Sequence, residues 1–242
     1  MRNDLVLALL GCLALVGMPA SAAERWLATQ LVEVAIAPDG RVTDAALPRT
    51  GLGPAMQAEI LRRVRQFEFE PATINGVPAS TETTLAVRLA VEETGDQLAV
   101  TVDGASITIG MAQLKGPRFP RSQMSRFGEG RIELKVEYDA DGAVTDVSVV
   151  SAKPDLKVFR NATLEAAREW RLTPERVNGQ GQAGVAFIPV TFERSAHKFA
   201  EISFPDGGKL QVTREVERKE ELLTSQVRLR STGDATAAAP AG

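Results

Sequence analysis

Residues 131–151, RIELKVEYDADGAVTDVSVVS, are the part of this chain that most directly predicts its fold. Over residues 131–139 apolar and charged side chains alternate, which is typical of a strand with one buried face and one solvated face. Asp141-Gly142 then favours a hairpin turn, because glycine accepts the positive φ that such a turn needs. A valine-rich return strand follows. We therefore expect an antiparallel hairpin with these inward positions: Ile132, Leu134, Val136 and Tyr138.

The residues that follow predict a helix and a third strand. Phe159, Thr163, Ala166, Ala167 and Trp170 share one stripe of an amphipathic helix. This position favours core packing of the tryptophan over a ligand platform. After a loop, residues 184–193 (GVAFIPVTFE) form the third strand. Its proline at position 189 cannot donate to a ladder, so the strand is expected at a sheet edge or at a bulge.

The same order of signals occurs earlier in the chain. Residues 38–45 (PDGRVTDA) resemble residues 140–147 (ADGAVTDV), and residues 67–76 (FEFEPATING) resemble residues 170–179 (WRLTPERVNG). Two matches in the same order, at nearly the same offset, indicate a duplication. We therefore predict an α+β fold of two tandem β-β-α-β domains, each a small antiparallel sheet packed by a helix. The first unit is residues 26–95, and the second unit is residues 115–194.

The segments outside the two units have signals of their own. Residues 1–22 contain an apolar run that ends in Pro19-Ala20-Ser21-Ala22, which predicts a cleaved signal peptide and a periplasmic location. A lipoprotein lipidated at Cys12 and an uncleaved inner-membrane anchor are the alternatives. The remaining predictions are a hairpin linker over residues 96–114 that turns at Asp103-Gly104, a C-terminal extension over residues 195–230 with a hairpin around residues 206–208, and a disordered tail over residues 231–242.

The composition narrows the classes of function. The 242 residues carry a net charge of −3, with one Cys, one His and one Tyr. No basic excess is present to neutralise phosphates, so nucleic acid is excluded as a partner. His197 has no recognisable catalytic spacing, and the Asp139–Asp141 segment lacks the later acidic ligand of a calcium loop. We expect no enzyme activity, cofactor, metal or small-molecule substrate.

The second unit resembles the C-terminal domain of the TonB family, and the first unit does so more weakly. The resemblance depends on several short motifs that occur in a fixed order. They are Phe119-Pro120, Gly130-Arg131-Ile132, Asp141-Gly142, Trp170-Arg171-Leu172-Thr173-Pro174, Asn178-Gly179 and Val190-Thr191-Phe192.

This resemblance implies a periplasmic, non-catalytic protein-binding module linked to outer-membrane transport. Such a domain would bind an extended segment of an outer-membrane receptor, or of another envelope protein, by strand addition at a free sheet edge. A homodimer is left open, and the alternative function is an envelope scaffold that binds peptidoglycan or self-associates. The chain lacks the family's N-terminal His and its Pro-rich spacer. The candidate edge residues are Val185, Phe187, Pro189, Thr191 and Glu193.

Overall fold

The computed structural model describes a subset of the chain. Phe119-Pro120, His197 and the predicted signal peptide lie outside the described residues. Within the described part, no helix is long and apolar enough to span a membrane. The described residues are 25–48, 50–94, 97–118, 129–193, 200–203, 209–212, 225–232 and 239–240.

The first unit begins with a hairpin, continues through one helix and ends in a long strand. Pro54 occupies the start of the helix, where its missing N–H costs nothing. A short hairpin whose turn is Asn75-Gly76 lies between the helix and the last strand. The elements are β1 (Arg25–Ile36), β2 (Val42–Ala46), α1 (Pro54–Val64), β3 (Glu68–Glu70), β4 (Thr73–Ile74), β5 (Val77–Pro78) and β6 (Thr81–Thr94).

The sheet of the first unit is antiparallel, with β1 in the middle between β2 and β6. The pairing of β1 with β6 runs without a break from Arg25–Glu92 to Ile36–Thr81. Alternate strand residues and one face of the helix form the core. Its largest fully buried side chains include Ile36, Ile60, Phe67, Phe69, Leu85 and Leu89.

The second unit has the same element order and the same strand order. Its first strand again lies in the middle, between the return strand and the last strand. Trp170 is buried as the sequence predicts, although it lies three residues beyond the end of the helix rather than on it. The elements are β9 (Glu129–Tyr138), β10 (Val144–Lys153), α2 (Lys157–Ala167), β11 (Arg171–Thr173), β12 (Arg176–Val177), β13 (Gln180–Gly181) and β14 (Gly184–Glu193).

The hairpin turns of the two units have the same local geometry. Gly40 and Gly142 both have positive φ, +87° and +81°. The carbonyl of Gly40 accepts a hydrogen bond from the amide of Phe69 at 2.8 Å, and that of Gly142 accepts one from Leu172 at 2.8 Å. In each unit the turn is therefore tied to the short strand that follows the helix.

The remaining strands differ in part from the sequence-based expectations. The turn expected at Asp103-Gly104 is not formed, because one strand runs through both residues and pairs with β6 along its length. The predicted C-terminal hairpin is confirmed, although its turn lies outside the described residues. The predicted tail contains strand residues, at Ser231 and at 239–240. These elements are β7 (Gln97–Thr108), β8 (Gly110–Gln113), β15 (Ala200–Ser203), β16 (Lys209–Val212), β17 (Arg228–Ser231) and β18 (Ala239–Pro240).

Candidate functional site: an open sheet edge

The last strand of the second unit, β14, lies at the edge of its sheet. It pairs with β9 in continuous register from Gly184–Tyr138 to Glu193–Glu129. On its other side, no strand of the described part of the chain pairs with it. The edge position predicted from Pro189 is confirmed, and the alternative of a bulge is not needed because the register is unbroken. Among the described strands, β14 is therefore a terminal strand of its sheet, and a terminal strand is the kind of element to which a further strand can pair.

The candidate site residues all lie on β14 and alternate with its core residues. Val185 and Phe187 are half-buried, whereas Pro189 and Thr191 are exposed. Glu193 ends the strand, and its side chain is outside the described set. The intervening side chains pack inward, against the second core. They are Ala186, Ile188, Val190 and Phe192.

The proline also indicates which amides point towards the open side. Backbone N–H and C=O groups of successive strand residues point to opposite edges. A proline within a sheet has its backbone nitrogen on the unpaired side of the strand. The backbone nitrogen of Pro189 therefore points away from β9. Phe187 and Thr191 lie two residues before and after Pro189, so their backbone N–H groups also point towards the open edge.

A packed core holds this edge in place. The rings of Phe192 and Phe159 lie 5.2 Å apart between centroids, so the strand is fixed against α2. The Trp170 indole Nε1 donates to the carbonyl of Lys115 at 2.8 Å. This bond satisfies the polar atom of a buried aromatic ring and fixes the chain segment that leads into the unit.

The β9–β10 hairpin is closed by a turn at Asp139–Gly142. The Asp139 carboxylate Oδ1 accepts hydrogen bonds from the amides of Asp141 at 3.0 Å and Ala143 at 2.8 Å. An aspartate that bonds the backbone two residues on is a turn-forming arrangement. Among the described residues, no group of His, Cys, Asp and Glu side chains is arranged to hold a metal ion. The two hydrogen bonds to the Asp139 carboxylate, together with the bond from the Gly142 amide to the Asp139 carbonyl at 3.0 Å, confirm the predicted turn.

The charged face of β9 is paired within the sheet. Lys135 Nζ donates to Glu137 Oε1 at 2.6 Å, and this hydrogen bond raises the pKa of the lysine above its usual value. The Ser151 hydroxyl donates to Glu133 Oε2 at 3.2 Å. The alternating charges therefore behave as a solvated face with lateral neighbours, in agreement with the sequence analysis.

The first unit does not offer the corresponding edge. Its last strand, β6, is covered by β7 from Thr84–Thr108 to Thr94–Gln97. The beginning of β6 is covered by β12 of the second unit, through the pairs Glu82–Arg176 and Thr81–Val177. The two units thus differ in the availability of their last strands.

The short hairpin of the second unit joins the two units at this point. The Asn178 amide donates to the carbonyl of Ser80 at 2.8 Å, and the Asn178 Oδ1 accepts from the amide of Ser80 at 3.1 Å. Arg176 Nε lies 3.8 Å from Glu82 Oε2. The residues that line an open cleft beside this contact include Glu33, Asp44 and Arg176.

Comparison with known proteins assigns the second unit. Residues 115–193 match the model of the family described as Gram-negative bacterial TonB protein C-terminal. These residues belong to the TonB C-terminal family. The first unit lies outside the matched range, and its relation to the family is not shown by this match.

Individual TonB proteins are similar to part of the chain. Protein TonB of two strains of Xanthomonas campestris pv. campestris is 36% identical over 89 residues. These residues are 37% of this chain and 40% of the relative, so the chain spans less than half the length of the curated proteins that it matches. The solution NMR structure of the Pseudomonas aeruginosa TonB C-terminal domain is 28% identical and covers 35% of this chain and 85% of that chain, with a TM-score of 0.31.

Tyr138, at the end of β9 in this TonB C-terminal domain, is only 4% exposed and is the single tyrosine of the chain. Burial, followed by the nearby negative charge of Glu175, raises the pKa of Tyr138 to about 12 from 10.0. Because the folded pKa exceeds the unfolded one, this contribution to stability is present below pH 10 and is lost as the pH rises towards 12.

We expect tyrosinate absorbance to appear near pH 12 in the native protein. In urea it should appear near pH 10, the value for an exposed tyrosine. An ultraviolet pH titration measures this residue alone, since no second tyrosine contributes. Ionisation of the native protein near pH 10, with near-ultraviolet circular dichroism unchanged, would contradict the burial of Tyr138.

Proposed function

We propose that the second unit is a periplasmic, non-catalytic protein-binding module that adds an extended segment of an outer-membrane receptor, or of another envelope protein, to β14. The observation that supports this most directly is the continuous open edge of ten residues from Gly184 to Glu193. Backbone hydrogen bonds at such an edge provide affinity, while alternate side chains provide specificity. The family match supports a role linked to outer-membrane transport.

We further propose that the two units arose by duplication and have diverged in function. Equal element order, equal strand order and equivalent glycine turns support a common origin. In the first unit β7 pairs along the outer side of β6. We therefore propose that the first unit supports the second unit and binds no added strand at β6. Of the two last strands, β6 and β14, only β14 has an outer side that no described strand covers.

A single proline on the open edge tests the proposal. Thr191→Pro removes an N–H that faces away from β9, so folding should be retained while an added strand loses one donor. Since a net hydrogen bond contributes about 0.5–1.5 kcal/mol, affinity should fall roughly two- to tenfold. Isothermal titration calorimetry with a synthetic peptide from the plug of an outer-membrane receptor measures the change.

Two control variants separate the loss of the outward N–H from other effects of the substitution. Thr191→Ser keeps the backbone donor and should bind as the unchanged protein does. Val190→Pro removes a donor that pairs with β9 and should destabilise the sheet itself. Equal affinity of Thr191→Pro and Thr191→Ser would count against strand addition at β14.

The same open edge supports one alternative function, an envelope scaffold that self-associates. An unpaired edge can bind a second copy of the chain as readily as a peptide. Light scattering over a range of concentrations distinguishes the two functions. A stable dimer that Thr191→Pro converts to monomer would favour the scaffold, whereas a monomer that binds the plug peptide would favour the receptor-binding module.

A further inference from the structure

Residues 225–231, SQVRLRS, contact the second unit through a buried carboxylate. The hydroxyl of Ser225 donates to Glu175 Oε2 at 2.7 Å, and the amide of Gln226 donates to Glu175 Oε1 at 3.0 Å. Glu175 is only 7% exposed. Each of its two carboxylate oxygens accepts one hydrogen bond from this segment. A buried carboxylate that loses such donors is costly, which makes this contact energetically significant.

The same segment also contacts the first unit. Val227 is 2% exposed and belongs to the core of that unit. The next residues form β17 and pair with β3, with Leu229 opposite Phe69 and Arg228 opposite Glu70. Seven consecutive residues from outside both sequence-predicted units thus contact the two units.

Charge complementarity favours this pairing. The strand β3 has the sequence Glu68-Phe69-Glu70, whose acidic side chains are exposed and whose aromatic ring is buried. The strand β17 presents the opposite pattern, with exposed Arg228 and Arg230 around the half-buried Leu229. Opposite charges across neighbouring strands stabilise the pair, and the apolar residues align on the core side.

The pairing has an equivalent in the second unit. There β11 pairs with β8, with Leu172 opposite Met111 and Arg171 opposite Gln113. The partner strand skips Ala112, just as β17 skips Arg230 between its pairs with Phe69 and Glu68. Both short strands therefore accept a strand in the same register with the same irregularity.

The two partner strands come from different places in the sequence. β8 precedes the first strand of the second unit. The equivalent residues Phe69 and Leu172 are 103 positions apart in the sequence. Counted back by the same number of positions, β8 corresponds to residues 7–10, which lie inside the predicted signal peptide. The C-terminal segment occupies this position in the first unit instead.

We infer that the exposed side of β3 is a strand-binding site whose resident ligand is residues 225–231, the C-terminal clasp. The site selects an extended segment with valine and leucine at alternate positions and basic residues between them. When bound, the clasp places Val227 in the core of the first unit and donates hydrogen bonds to the Glu175 carboxylate of the second unit. It thereby holds the two units together. This inference is independent of the binding proposed for β14.

Cleavage of the full chain tests the clasp as a ligand. A site-specific protease sequence inserted between Glu220 and Glu221 lies outside the described residues and allows the C-terminal fragment to be cut from the folded protein. We expect the fragment to co-elute with the body in gel filtration. Excess synthetic SQVRLRS peptide should displace it. A chain that also ends at Thr232, and so lacks β18, should retain its fragment equally well.

Charge reversal provides the specificity control. Glu70→Arg should accelerate fragment release several-fold, and the double variant Glu70→Arg/Arg228→Glu should restore slow release. Val227→Asp should accelerate it at least tenfold. Prompt separation of the unaltered fragment, or release unaffected by Val227→Asp, would overturn the inference.

Hydrogen exchange on the uncut chain gives a second measurement that does not depend on cleavage. Val227→Asp should raise exchange of the Glu70 amide at least tenfold. The equivalent amide of Thr173, which lies on β11 against β8, should be unchanged. Equal protection of Glu70 in both proteins would also overturn the inference.

Discussion

Phe192→Asp is expected to unfold the second unit, with a loss of about 4 kcal/mol or more in the free energy of unfolding. Phe192 is only 2% exposed, and its ring packs against that of Phe159. Truncation of a buried phenylalanine alone costs about 3–5 kcal/mol, and the new carboxylate would have no partner in an apolar core. Urea denaturation in a Trp26→Phe background, in which Trp170 is the single tryptophan, measures the effect by fluorescence.

The adjacent residue provides the matched control. Thr191 is exposed on the same strand, so Thr191→Asp adds the same charge without burying it. Its effect should be within about 0.5 kcal/mol, as for most surface substitutions. A similar destabilisation by both variants would mean that β14 does not have its inner face on the core.

Much of the second unit could be predicted because its signals are local. The bounds of β14 coincide with the predicted residues 184–193, since an apolar alternation interrupted by Pro189 specifies both a strand and its edge position. The turn at Asp141-Gly142 is similarly local, because it depends on a carboxylate two residues away and on a glycine with positive φ. Such features need no information about distant parts of the chain.

The Asp103-Gly104 prediction was wrong for a reason that lies elsewhere in the fold. Gly104 has a φ of +152° and lies at an irregularity in the pairing with β6, where the Arg88 guanidinium approaches it. A glycine within a strand permits a bulge as readily as a turn. The choice depends on the long partner strand, which offers pairing along the whole of β7.

The contacts of the C-terminal segment could not be predicted from local patterns. Leu229 pairs with Phe69, and Ser225 bonds to Glu175, across large separations in sequence. The alternation of Val227 and Leu229 with arginines was a strand signal, but nothing local identifies its partner. The edge position of β14 could be predicted because Pro189 is a local signal within that strand. The covering of β6 by β7 could not be predicted, because no local signal in β6 identifies its partner.

Gly142→Ala is expected to destabilise the second unit by about 3 kcal/mol, through two effects that can be separated. Gly142 has a φ of +81°, which strains any residue with a Cβ. In addition, a Cβ at this position would lie 2.1 Å from the carbonyl oxygen of Leu172. That oxygen belongs to backbone in the short strand β11, so it cannot move aside as a flexible side chain could.

Gly179→Ala isolates the first effect, because Gly179 has a φ of +77° but no atom within 4 Å of its Cβ position. Its cost should be about 1 kcal/mol, from backbone strain alone. The first unit repeats the comparison, since Gly40 would clash with Phe69 at 2.1 Å while Gly76, with positive φ, has open space. Thermal denaturation of the four alanine variants should therefore give one large and one small effect in each unit. Equal effects of Gly142→Ala and Gly179→Ala would mean that the contact between the hairpin turn and β11 does not constrain the fold.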